Sequence, residues 1–260
     1  MGTYLDEILD FHRYESRGDS RSLDTLVEKA GEFEPTRGFK KALMDSPANE
    51  MAVIAEIKKR SPSLGELVSN LIPSSVSQEY EEGGASALSV LTDAKYFGGS
   101  SIDLREARAA CNLPVLRKDF TVDFRDICDA KIMGANCVLL IVAALEKGLL
   151  TDFIEFCENL ELDALVEAHD EVEVEVALES GATMIGINQR DLKTFKVDQN
   201  RALRVVREIP KHIVKVAESG IRSISDAEPL KSAGFDAVLI GESLVKSHFP
   251  DQLIAQLRDL

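Results

Sequence analysis

The chain has 260 residues, 45% hydrophobic and 29% charged, with 16 Gly and 8 Pro; that balance builds a globular protein with ample core and excludes a disordered or collagen-like chain. Its 30 Lys and Arg stand against 45 Asp and Glu, a formal net charge of -15, so the surface as a whole should repel nucleic acid and anionic membrane while leaving room for a local basic pocket. No apolar run reaches the roughly 20 residues of a membrane-spanning helix.

The first seven residues lack the basic start and apolar stretch of a secretion signal, which leads to the expectation of a cytoplasmic protein. Leu5, Ile8, Leu9 and His12 then fall at helical spacing, and Leu23, Leu26, Val27 and Ala30 make a second amphipathic stretch. Between them Arg17-Gly18-Asp19-Ser20 spells an adhesion tetrapeptide, which in such a chain reads as a loop of chance composition. These segments predict an N-terminal helical extension or lid over residues 1–48, ahead of one barrel domain over 49–260.

From there the chain repeats. Four times a helix-like segment ends in Gly (Gly84, Gly134, Gly181, Gly234) and a short apolar run follows. Gly after a helix adopts the left-handed conformation freely, and a continuous apolar run is a strand buried on both faces. With four further candidates, strands begin near 53, 87, 114, 138, 164, 184, 213 and 237. Eight strand–helix units in tandem predict a parallel (βα)8 TIM barrel. An open doubly wound sheet would usually carry a GxGxxG turn after its first strand; Lys59-Arg60-Ser61-Pro62 stands there instead.

Side chains alternate between faces along a strand. Ile54, Glu56 and Lys58 share the face opposite Val53, Ala55 and Ile57. In the same phase Leu116 lies below Lys118, Leu165 below Glu167, Met184 and Gly186 below Asn188, and Val214 and Val216 below Glu218. Five strands thus bring Glu56, Lys58, Lys118, Glu167, Asn188 and Glu218 to the C-terminal rim, where barrels of this kind build active sites. One Lys and one Glu would pass as a rim ion pair. Six polar groups in phase do not, because desolvating them costs energy that apolar residues would not. Lys215 lies in the opposite phase, within reach of a helix carboxylate outside the barrel.

Glu218-Ser219-Gly220 closes the seventh strand and Gly241-Glu242-Ser243 the eighth. Loops at these places often cradle phosphate, although plain turn residues would look the same. Glu242 fits an anion site only with its carboxylate turned to solvent. The four cysteines form no CxxC pair and the four histidines no HxH or HExxH pair. Free thiols and no metal site are therefore expected.

These residues resemble the indole-3-glycerol phosphate synthase family. The strings that match are Ile54-Ala55-Glu56-Ile57-Lys58 with Ser61-Pro62-Ser63, Ser89-Val90-Leu91-Thr92 with Tyr96-Phe97-Gly98-Gly99-Ser100, and Leu116-Arg117-Lys118-Asp119-Phe120. They continue with Leu165-Val166-Glu167-Ala168-His169, Gly186-Ile187-Asn188-Gln189-Arg190-Asp191-Leu192, Val216-Ala217-Glu218-Ser219-Gly220-Ile221 and Leu239-Ile240-Gly241-Glu242. The likeness runs in order from about residue 38 to 250 and is weaker before that, where the family has a substrate-covering helix. Leu64 stands where many members have Lys before Gly65.

The resemblance implies a (βα)8 enzyme that acts on 1-(2-carboxyphenylamino)-1-deoxyribulose 5-phosphate. Ring closure, decarboxylation and dehydration give indole-3-glycerol phosphate, CO2 and water, without cofactor or metal. It implies Lys118 as general acid and Glu167 as general base. Lys58 contacts the substrate's carboxylate or phosphate and is a second candidate for the acid. Glu56, Asn188 and Glu218 would position the lysines and the substrate hydroxyls. Ser61 and Arg190 fall at the anthranilate end, Leu91, Phe97 and Phe120 around the aromatic ring, and Ser219, Gly220, Gly241 and Glu242 at the phosphate. The expected partner is a phosphorylated small molecule, and the chain is compatible with a monomer. The alternatives are another phosphate-binding barrel isomerase, a Schiff-base aldolase that uses Lys58 or Lys118, and a non-catalytic binding subunit.

Overall fold

The computed structural model describes residues 3–47, 49–62, 65–191 and 194–260. Eight parallel strands close into a barrel: β1 (Ala52–Ile57), β2 (Ala87–Leu91), β3 (Val115–Lys118), β4 (Cys137–Ile141), β5 (Asp163–Ala168), β6 (Met184–Asn188), β7 (Val214–Glu218) and β8 (Ala237–Ile240). Each pairs with its sequence neighbours, and β1 closes the ring by pairing with both β2 and β8. A doubly wound sheet would leave two open edges, so the closure decides between the two folds. The strands lie where the apolar runs put them, to within one residue at either end.

The alternation sorts the core into two apolar clusters. Val53, Ala55, Val90, Leu140, Val166, Ile185 and Val238 face outward and pack with helix residues such as Tyr80, Leu104, Ile127 and Phe153. Ile54, Leu116, Leu139, Leu165, Met184, Val214, Val216 and Leu239 face inward and fill the barrel. Each such side chain, fully buried, adds about 1.5–3 kcal/mol. The four helix-end glycines have φ of 85°, 92°, 91° and 94° for Gly84, Gly134, Gly181 and Gly234, as the repeat requires.

Three helices precede the barrel. α1 (Tyr4–Gly18) starts at a capping box between Thr3 and Asp6 and lies over the C-terminal mouth. His12 Nε2 meets Asp93 Oδ2 at 2.9 Å, Arg13 donates to the Ala144 carbonyl at 2.9 Å, and the Tyr4 ring packs edge-on against Tyr96 and Phe195. α2 (Leu23–Gly31) packs on the outside against the helix Phe124–Met133. α3 (Phe39–Met44), which no periodicity announces, sends Phe39 and Leu43 into the inner cluster. Its Lys40 N–H donates to Asp163, the first residue of β5, so α3 closes the bottom of the barrel. Arg17 and Gly18 are the last residues of α1 rather than loop, and the Asp19 carboxylate is taken up by Arg21.

Lys215 points outward as its phase requires. Its Nζ donates to the Ile213 carbonyl at 3.1 Å rather than to the helix carboxylate expected, the flexible stem folding back along its own chain. All four cysteines are buried and free. Burial pushes the Cys128 thiol up to about 11 and raises those of Cys111, Cys137 and Cys157 as well, which makes them poor nucleophiles.

Candidate active site

A cavity of about 730 Å3 opens at the C-terminal mouth, and every residue expected at the site lines it. Lys118 stands at its centre. Its Nζ donates to Glu167 Oε2 at 3.0 Å and to Glu218 Oε2 at 3.1 Å. Beside it Lys58 Nζ donates to Glu56 Oε1 at 2.5 Å. Asn188 hydrogen-bonds Glu167 and accepts the Arg190 N–H at 2.9 Å. Glu56, Lys118, Glu167, Asn188 and Glu218 come from β1, β3, β5, β6 and β7 because each is the last inward residue of its strand, and Lys58 follows β1 directly.

The local electrostatics split the three central groups. Burial opposes charge on Lys118, but the carboxylates of Glu167, Glu218 and Glu56 outweigh it and raise the ammonium well above its ordinary range. Burial would raise Glu167, yet Lys118, His169 and the Asn188 hydrogen bond hold it below its usual value. Glu218 is pushed up to about 7 by burial, with Glu167 and Glu56 adding to the rise and Lys118 opposing it. Two neighbouring carboxylates with divergent environments are the signature of distinct proton-handling roles.

Glu218 has a measurable consequence for stability. Its folded pKa of about 7 lies above the ordinary 4.5, so the stability it adds is complete below the lower value and lost as pH rises through the upper one. Lys118 and Glu167 keep their charges across that window. Glu218→Gln should therefore flatten the rise in urea midpoint seen on going from neutral to mildly acid solution. An unchanged slope would remove Glu218 as its source.

Two glycines leave room for these carboxylates. A Cβ on Gly186 of β6 would sit 2.1 Å from Glu218 Oε1, and one on Gly241 2.3 Å from Glu56 Oε1. Gly186→Ala should thus push Glu218 off Lys118. The expected result is a loss of activity larger than the roughly 1–3 kcal/mol of stability that overpacking removes, read as kcat beside the urea midpoint. Unchanged kcat would mean that the carboxylate has slack.

The loops after β7 and β8, expected at an anion, line the same cavity. Ser219 and Gly220 follow β7 with φ of 65° and 76°. Gln189 and Gln199 hold their two carbonyls at 2.8 Å each. Successive left-handed residues of this kind can turn backbone N–H groups toward an anion, and the strain of holding Ser219 there is about 1–3 kcal/mol. Gly241 precedes a short helix, Glu242–Val245. Glu242 Oε1 accepts Lys246 Nζ at 2.8 Å on the exposed side, so its charge is answered. Phe97 and Phe120 stand 6.3 Å apart across the aromatic end, near Leu91 and Ser61. Arg190 donates to the Phe195 carbonyl at 3.1 Å. Ser63, Leu64 and Leu192 lie outside the described residues.

Several groups escaped the alternation argument. Lys246 and Arg222 line the cavity and add cations beside the loops after β7 and β8; their i,i+4 acidic neighbours make them look like plain surface pairs. Asp93 and Asp119 follow strand ends in loops. Arg117, on the outward face of β3, holds Asp119 at 3.0 Å and Thr92 at 3.2 Å, which ties the loops after β2 and β3 together. His12, Asp93 and Asp119 also lie close enough to share one metal ion. Their polar atoms already bond one another, Thr92, Arg117 and the 96–97 backbone, which fits a structural latch under α1.

The sequence model of the family described as indole-3-glycerol phosphate synthase matches residues 7–257. Indole-3-glycerol phosphate synthase of Chlorobium chlorochromatii (strain CaD3) is 45% identical over 93% of this chain and 95% of its own length. Indole-3-glycerol phosphate synthase 1 of Streptomyces coelicolor is 46% identical over 97% of this chain and 94% of its own. Among solved structures, a thiamine phosphate pyrophosphorylase from Pyrococcus furiosus covers 81% of this chain and 95% of its own with a TM-score of 0.60 at 16% identity. An N-acetylmannosamine-6-phosphate 2-epimerase from Clostridium perfringens gives 0.59 at 12% identity, covering 75% of this chain and 88% of its own. At such identities these two likenesses speak for the barrel alone.

Proposed function

This chain belongs to the indole-3-glycerol phosphate synthase family, and on that premise we propose how its rim residues share the reaction. The enzyme is a carbon–carbon lyase that closes the indole ring of its phosphorylated substrate with loss of CO2 and water. The observation that carries the division of labour is the one cation, Lys118, held at 3.0 and 3.1 Å between two buried carboxylates of different basicity.

Ring closure joins the carboxylate-bearing carbon of the anthranilate to the ketose carbonyl carbon, and negative charge grows on the carbonyl oxygen. Lys118 donates its proton to that oxygen. Its raised pKa keeps it an ammonium at working pH, and transfer occurs as the oxygen gains charge. The C–CO2 bond then breaks and its electron pair restores the aromatic ring. Dehydration expels the hydroxyl on the former ketose carbon as water, with Lys58, the second acid of the site, supplying its proton, while a proton leaves the adjacent ring position. Glu167, held ionised by Lys118, His169 and Asn188, takes that proton.

Lys58 and Arg190 meet the substrate carboxylate, and Glu56 and Asn188 fix Lys58 and Glu167. Leu91, Phe97 and Phe120 wall the ring, with Ser61 beside it. Ser219, Gly220, Gly241, the Glu242 backbone and Lys246 hold the phosphate. Residues 1–48 form the extension, whose α1 covers the mouth, and 49–260 the barrel. One chain supplies every group, so a monomer suffices, and a biosynthetic enzyme without a membrane-spanning helix among the described residues belongs in the cytoplasm.

A Schiff-base aldolase would use the same lysines as nucleophiles. Borohydride added during turnover separates the two. The acid role predicts unchanged protein mass; a mass gain equal to the reduced substrate adduct on Lys118 or Lys58 would favour the imine.

A further inference from the structure

His169 stands behind Glu167, two residues further along the same face of the chain, and does not line the cavity. It touches no substrate, so the reaction as described leaves it without a task. Yet it is largely buried, and its Nε2 is a buried atom with no hydrogen-bond partner. That nitrogen faces Glu167 Oε1 at 3.7 Å. On the other side of the ring, Nδ1 meets Glu173 Oε2 at 3.0 Å. The same carboxylate oxygen accepts the His169 backbone N–H at 2.8 Å, which locks the pair. Glu173 sits in the first turn of the helix Glu171–Glu179 with its side chain 22% exposed. The three groups form a line from the cavity wall toward solvent.

An orphaned buried polar atom costs roughly 1–3 kcal/mol, so its retention calls for a use. With Nδ1–H donating to Glu173, the neutral ring carries its lone pair on Nε2, the nitrogen turned to Glu167. We propose that His169, oriented by Glu173, is the positioning residue for Glu167 and takes over the proton that Glu167 removes from the substrate. The inference rests on the reading of Glu167 as general base.

The step balances simply. Glu167 gains a proton on Oε1 during dehydration. The side chains close by about 0.5 Å to hydrogen-bond distance, the O–H bond breaks, and an N–H bond forms on Nε2. Glu167 is again a carboxylate, ready for the next substrate, and His169 is an imidazolium paired with the Glu173 carboxylate. The proton passes to water when product leaves. No oxidant or reductant takes part. The charges that face His169 are Glu167 on β5, Glu173 on the helix Glu171–Glu179 and Arg201 on the helix Asn200–Val205. Burial opposes the imidazolium, while the Glu173 hydrogen bond and the Glu167 charge outweigh it and raise the His169 pKa. Arg201 is partly answered by Asp191 at 3.6 Å.

The test uses steady-state indole formation across pH in the full chain, with Glu167→Gln as reference. His169→Gln keeps a similar volume and a donor but cannot accept the proton. It should slow indole formation by about 10-fold or more with KM within about two-fold. It should also move the acid limb of the rate profile to lower pH, because the wild-type limb marks the protonation of His169, whose pKa is raised, and a protonated ring cannot accept the proton. Glu173→Gln, a milder change on a partly exposed residue, should shift the limb in the same direction by less. If Glu167→Gln is inactive while both other variants keep the wild-type rate and limb, the relay is wrong and the base stands. If Glu167→Gln is itself active, the base reading fails. If His169→Gln slows the rate with the limb unmoved, its role is merely structural and the proposal is overturned.

Discussion

Lys118→Ala should stop both CO2 release and indole formation, with kcat falling by roughly 10²–10⁴-fold and KM changing little. The split follows from geometry. In the proposed reading Lys118 reaches the ketose oxygen and the substrate's two anionic ends meet other groups, Lys58, Arg190, Lys246 and the Ser219–Gly220 turn, and all of these line the same cavity. Removing a group that acts only as charge develops lowers kcat and kcat/KM together. A rise in KM with kcat unchanged would make Lys118 a binding residue. The variant also leaves Glu167 and Glu218 facing each other without their shared cation. Breaking a buried ion pair costs about 3–5 kcal/mol when the survivor stays charged. Here one carboxylate can take up a proton instead, so the variant should be markedly less stable in alkaline than in mildly acid solution. Kinetics belong at the acid end, where a melting curve shows it folded.

Glu167→Gln should separate the two halves of the reaction. The amide keeps the shape and can still hydrogen-bond Lys118 and Asn188, so ring closure and decarboxylation have what they need. Dehydration loses its base and should slow by about 10²–10⁴-fold. In a single turnover, CO2 should appear near its normal rate while indole lags behind. Loss of both products in equal measure would place Glu167 in ring closure instead.

The strand phases were readable from sequence because parallel strands buried on both faces are nearly all apolar. A charged residue in such a run stands out, and its phase says which side of the barrel it faces. Glu56, Lys118, Glu167, Asn188 and Glu218 were found in this way. The method fails where the chain leaves the strand. Asp93, Asp119, Arg222 and Lys246 lie in loops or short helices, where no period says which way a side chain turns. Ser219 sits at φ 65°, a conformation its residue type does not advertise. α1 was legible as an amphipathic helix. Its seat over the mouth was not, since it depends on contacts such as His12 with Asp93, 81 residues apart in the chain. α3 spans six residues, too short for a helical period to emerge. For Lys215 the phase was right and the partner wrong, because a long flexible stem can fold back along its own chain.

The most direct test mixes the purified chain with 1-(2-carboxyphenylamino)-1-deoxyribulose 5-phosphate and follows indole fluorescence and CO2 together. The chain contains no Trp, so indole emission rises from a nearly dark protein background. A steady rise with one CO2 for each indole is the predicted result. A folded protein that binds the substrate phosphate and releases neither product would contradict the account.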